Sequence, residues 1–172
     1  MDCKSIFLFD VLKRYDHYIG TTNFKVGLMM SFLLTVVLGL TLRVVVLGSK
    51  SDINIIMFSI LILFVFLTIT LSLVAVYKLL CVVFPNTKNP SFYESMIFFG
   101  DVSTTHGGAA GYHEKIKTSS EEEILKDLSF QTFTVAGIVS DKFKTLQVAV
   151  NIIRFCVVPL LFISIIFILI IH

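Results

Sequence analysis

The chain has 172 residues, of which 56% are hydrophobic and 15% charged, with no Trp and a mean hydropathy of +0.91. A soluble domain carries about 25% charged residues, so this balance excludes a soluble globular enzyme. The 14 basic and 12 acidic residues leave a net charge of only +2, too small to argue for bulk polyanion binding, so any nucleotide would have to meet a local cluster.

Residues 1–25 form a polar arm. Ile6, Phe9, Asp10, Lys13 and His17, with the apolar Phe7, Val11, Tyr15 and Tyr18, recur at helical spacing, which predicts an N-terminal helix. Ile6 to Phe9 is too short an apolar run for a signal peptide and is closed by Asp10. Residues 26–47 then read as the first membrane span, free of charge between Lys25 and Arg43. Gly48 to Asp52 leaves room only for a tight antiparallel hairpin. The second transmembrane helix, 53–84 with its cytosolic extension, meets no charge until Lys78 and stops before Pro85, because the residue before a proline disfavours helix. Each run is near the roughly 20 residues needed to cross a hydrocarbon core about 30 Å thick.

The turn formers Pro85-Asn86, Asn89-Pro90, Gly100-Asp101 and Gly107-Gly108 mark 85–118 as an irregular loop. Ser120 followed by Glu123 is a capping box, and three successive glutamates suit a positive helix end. A stalk helix is therefore predicted over 119–153. Its apolar stripe runs through Ile124, Leu128, Val135, Ile138, Leu146, Ala149 and Ile153. The helix runs on into the third span, 154–172, where only Pro159 and Ser164 interrupt the apolar run. Continuous to Ile171, it would be about 78 Å long at roughly 1.5 Å per residue. The expected fold is an all-α membrane protein. It has three transmembrane helices and a cytosolic stalk formed by the arm and the long helix.

Basic residues orient the chain. Twelve of them fall in the arm and in the segment from Lys78 to Arg154, against Arg43 and Lys50 on the other side. The positive-inside rule then places the N-terminus and residues 78–153 in the cytoplasm and the C-terminus outside.

Chemistry is sparse. HExxH and GxSxG patterns are absent, and Gly107 to Gly111 lacks the Lys-Ser/Thr that closes a phosphate loop. No catalytic residue, cofactor or metal is expected. Cys3, Cys81 and Cys156 form no CxxC pair, and cytosolic thiols seldom build disulfides. The spans carry no deep charge, which argues against coupled transport. Gly27, Ser31, Thr35 and Gly39 recur every four residues, and Thr68, Ser72 and Ala75 make a second small-residue strip. Such strips serve close helix packing or, through their hydroxyls, pore lining. Three spans cannot enclose an aqueous path alone, so a channel requires a homo-oligomer.

The arm from His17-Tyr18 to Asn23 and Lys25, the span hairpin, Asn89-Pro90, Phe98-Phe99-Gly100-Asp101, and Asp127, Gln131, Ile138, Lys142-Phe143 and Leu146 together resemble the Pycsar effector membrane domain, over nearly the whole chain. The gated channels of the Hailong type are similar. The resemblance implies an anti-phage effector of the bacterial inner membrane. A partner cyclase or nucleotidyltransferase would make its signal, a cyclic pyrimidine mononucleotide or a short oligonucleotide, and the membrane part would arrest growth or kill the cell.

A phosphate ligand needs cationic and amide donors beside an aromatic face. The candidate ligand residues are Lys142, Lys144, Arg14, Lys25, Lys88, Gln131, Phe98 and Phe99, with Phe143 a further stacking face. Lys25 and Arg154 have an equally simple reading as interfacial anchors. Lys142 shares a face with Ile138 and Leu146, a costly place for a charge unless it meets an acidic partner or an anion. Ser31, Thr35, Thr68, Ser72 and Pro159 are the candidate pore or gating residues, with Pro159 the natural pivot. The alternatives are a membrane adaptor whose stalk docks a soluble partner, and a holin-like toxin that needs no ligand.

Overall fold

The computed structural model describes residues 3–49, 54–84 and 94–171. The expected hairpin tip, the Pro85-Asn86 and Asn89-Pro90 turns and Lys88 lie outside them. The described residues fall into two compact units, within Met1–Thr21 plus Asn86–Asp141 and within Thr22–Pro85 plus Lys142–His172. The protein is all-α, with no strand among the described residues.

The arm and the first span are one helix, α1, Cys3–Gly48. No proline breaks it, and the boundary at Lys25 is one of polarity alone. Helix α2, Ile55–Val83, is capped by Asn54, whose carboxamide oxygen accepts from the amides of Ile56 (3.1 Å) and Met57 (3.4 Å). It ends at Phe84, in extended backbone ahead of Pro85.

The described part of the expected irregular loop, residues 94–118, is largely helical. It contains α3, Phe99–Ser103, and α4, Gly108–Thr118. The glycines that read as breakers form the start of α4. Gly107 is left-handed at φ +81°, and a Cβ on Gly111 would stand 1.9 Å from the His106 carbonyl oxygen. Both positions need glycine to enter a helix, not to escape one. Gly107 to Gly111 is therefore the start of a helix and not an irregular linker.

Helix α5, Glu121–Ile152, opens on the expected box. The Glu123 carboxylate accepts from the Ser120 amide at 2.8 Å, and Ser120 Oγ accepts from the Glu123 amide at 3.2 Å. Those Ser120 bonds hold the Glu123 carboxyl below its usual range. α5 then passes through a single π turn, Ile153–Val157, into α6, Val158–Ile171. Proline at 159 lacks the N–H that would bond to Phe155 in an α-helix, and its ring would crowd that carbonyl. The ladder instead widens, and the Val158 amide bonds to the Ile153 carbonyl, five residues back. Pro159 thus shifts the register of an uninterrupted helix.

Three helices are long and apolar enough to cross a membrane: Cys3–Gly48, Ile55–Val83 and Glu121–Ile171. In the second unit, α2 lies against the π turn and α6. Val26, Leu33, Ala75, Leu79, Val82, Ala149 and Val157 bury one cluster, and Leu40, Leu47, Leu61, Val65 and Ile168 bury another. Outward residues such as Leu38, Leu42, Phe66, Phe162 and Leu169 are apolar and uncovered, as lipid contact requires.

Candidate functional site

In the first unit, two carboxylates fasten the strip ahead of α3. Asp127, fully buried on α5, accepts from the Met96 amide at 2.7 Å and from Ser95 Oγ at 3.1 Å. Ser95 Oγ in turn accepts from the amides of Ile97 (3.0 Å) and Phe98 (2.9 Å), a hydroxyl turn that starts α3. Asp101 accepts from the Ser95 amide at 2.8 Å, and Tyr112 donates to the Met96 carbonyl at 2.8 Å. This fastening presents the Phe98 and Phe99 rings 4.8 Å apart, with Phe99 68% exposed. Gln131 is buried one turn beyond Asp127, and Arg14 is exposed on α1.

The same unit holds a groove of about 650 Å³ between the first turns of α1 and α5. Lys4, Phe7 and Leu8 line it from α1, and Leu125, Lys126 and Ser129 from α5; Cys3 and Glu122 also border it. Sequence reasoning missed Lys4, Phe7 and Lys126. A signal existed in the three-residue steps from Lys4 to Phe7 and from Lys126 to Ser129, but a groove forms only when two helices meet.

In the second unit, Lys142 is buried, and its ammonium donates to the carbonyls of Val82 and, at 3.4 Å, Val83. These belong to the last turn of α2, where carbonyls have no intrahelical donor and the helix dipole is negative. The costly position of Lys142 is therefore met by a helix end. Burial holds its amine below the ordinary lysine range. Lys25 and Lys144 are exposed in this unit, so the expected ligand residues divide between the two units. Arg154 lies in the π turn, 5.2 Å from the centre of the Phe155 ring.

The two small-residue strips part company. Thr68, Ser72 and Ala75 are fully buried in the packed spans; Thr68 donates to the Phe64 carbonyl at 2.8 Å, whereas Ser72 Oγ has no partner among the described residues. Ser31 and Thr35 are exposed on the outer face of α1, their hydroxyls bonded to the carbonyls of Gly27 (3.1 Å) and Ser31 (2.9 Å). Pro159 is also exposed.

A family model of the Pycsar effector protein domain matches residues 7–171. The chain belongs to the Pycsar effector family. Membership marks it as an anti-phage defence effector, in a family that is not enzymatic and that implies response to a cyclic nucleotide signal from a partner cyclase. No curated protein and no solved structure matches the chain. The effector's three apolar helices agree with a membrane protein. The match spans both units, from the groove residue Phe7 to the end of α6.

Proposed function

We propose that this effector is a homo-oligomeric channel of the bacterial inner membrane, with its N-terminus and residues 78–153 in the cytoplasm. A nucleotide from a partner enzyme sets it open or shut, and the open state stops growth before phage mature. The nucleotide is sensed by the first unit, and the spans carry the ion path. The observation that supports this most is the bond from Lys142 to the end of α2. α5 runs unbroken from the first unit into the second and on to α6, and Lys142 hydrogen-bonds from α5 to the end of α2.

A movement of α5 therefore pulls on two spans at once. The π turn before Pro159 lets α6 turn without breaking. A ligand drives this only through different affinities for the two packings. The exposed Ser31 and Thr35 suit contact with another copy or with the path, whereas the buried Thr68 and Ser72 suit packing inside each chain. Three spans, no charge at depth and an uncovered polar strip suit a channel assembled from several copies better than a transporter.

The test is membrane potential and growth in bacteria producing the effector with and without its partner enzyme. Depolarisation only when the signal is made fits a ligand-opened channel. Depolarisation by the effector alone, suppressed by the enzyme, fits a ligand-closed one. No depolarisation in either state, even under phage challenge, would replace this reading with the adaptor.

A further inference from the structure

We infer that the groove between the first turns of α1 and α5 is the seat of a monoanionic cyclic nucleotide; this rests on the nucleotide-controlled reading above. The groove volume of about 650 Å³ falls in the range of roughly 300–1,000 Å³ used for small-molecule ligands. Its chemistry has three parts. Lys4 and Lys126 supply two ammonium groups, one from each helix; among the described residues neither closes an ion pair within 4 Å, and Lys126 lies near the Glu123 carboxylate. Phe7 is 64% exposed on the groove wall, and an aromatic face left to water beside cations is what a nucleobase stacks upon. Leu8 and Leu125 make the rest of the wall apolar.

The neighbouring glutamates limit the charge of the ligand. Lys4 and Lys126 can together meet one phosphodiester, and Glu122 borders the same groove. Glu121 and Glu123 stand beside Glu122 in the first turn of α5, so further negative charge on a ligand is repelled. An open monophosphate or an oligonucleotide is thereby disfavoured. A lipid headgroup would satisfy the lysines but offers no ring to Phe7. The site also explains how sensing could reach the spans, because a ligand bridging Lys4 and Lys126 ties α1 to α5, the two helices that continue into the second unit.

The full chain in phosphatidylcholine nanodiscs is titrated calorimetrically with cyclic UMP, cyclic CMP, UMP and a mixed-sequence pentadeoxynucleotide. The wild type is expected to bind a cyclic nucleotide at least tenfold more tightly than UMP. Lys4→Ala, Lys126→Ala and Phe7→Ala should each weaken that binding tenfold or more. Lys13→Ala and Lys117→Ala, exposed in the same unit, should leave it unchanged. The thermal transition of each variant is recorded alongside, to separate loss of binding from loss of fold. Cyclic-nucleotide binding that survives the Lys4→Glu/Lys126→Glu double variant overturns the groove and leaves the nucleotide-controlled reading standing. Binding of the pentadeoxynucleotide alone overturns the ligand class. A wild type that binds none of the four overturns both.

Discussion

The Lys142 ammonium donates to the carbonyl of Val82, so a cation on α5 closes the C-terminal end of α2. Replacing it with Met removes the donor and leaves two helix-end carbonyls buried without one. Lys142→Met should cost about 1.5–3 kcal/mol, the usual worth of a hydrogen bond from a charged group, measured by unfolding in mixed micelles. The pH dependence follows from burial. The folded chain gives up this proton below the ordinary lysine value of 10.5. Between the lowered and the ordinary value the unfolded chain holds more protons, so stability rises with pH across that window and is lowest and flat beneath it. The wild type should therefore gain on Lys142→Met as pH approaches 10.5. A difference that shrinks would contradict the buried position.

Asp127 and Ser95 form a second buried pair, and its removal should be visible one amide at a time. Asp127→Ala should speed hydrogen exchange at Met96, and Ser95→Ala at Ile97 and Phe98. Loss of such bonds, each worth about 1–3 kcal/mol once a buried group is orphaned, corresponds to roughly 5- to 150-fold. The double variant should fall short of the sum, because the two side chains also bond to each other. Unchanged rates at all three amides would mean that another contact holds the strip.

Pro159 sets the register of α6. Pro159→Ala restores an N–H able to reach Phe155, and the π turn should relax to α geometry. One residue at 3.6 per turn is about 100° of rotation, so α6 should turn against α2. Spin labels at Cys81 and at Leu169→Cys, with the remaining cysteines replaced, should report a changed separation. The same variant should alter signal-dependent growth arrest while still reaching the membrane. An unchanged label distance would show that packing, not the proline, holds the turn.

Glu123 titrates in favour of α5. Its folded pKa lies below the ordinary value of 4.5, so its contribution is complete above that value and is lost as pH falls through the lowered one. Exchange protection of the Glu123 amide, corrected for intrinsic rate, should drop over that acid range in the wild type. In Glu123→Gln the protection should be weaker at neutral pH and should lack the acid step.

The spans were legible in the sequence because hydrocarbon imposes a length and forbids charge, and each run can be read without its neighbours. The capping box was legible for the same reason, since Ser120 and Glu123 satisfy one another locally. The polar segment after α2 was not. Gly107 and Gly111 carry the composition of a loop, and only the left-handed φ of Gly107 and the His106 carbonyl beside Gly111 show why glycine stands at the start of a helix. Lys142 stood between: its apolar face demanded a partner, but a helix-end carbonyl leaves no mark in sequence as an acidic residue would.

By itself the sequence determined the class, the three spans, the start of α5 and the need for Lys142 to be paired, because each follows from local periodicity or from the free-energy cost of an unpaired charge. The tertiary structure decided the rest. It buried the Thr68-Ser72 strip, left Ser31 and Thr35 uncovered, closed the end of α2 with Lys142 and set Lys4, Phe7 and Lys126 around one groove. Those outcomes depend on which helix faces meet. Faces are matched by shape and burial across residues far apart in the chain, and local pattern carries no record of that match.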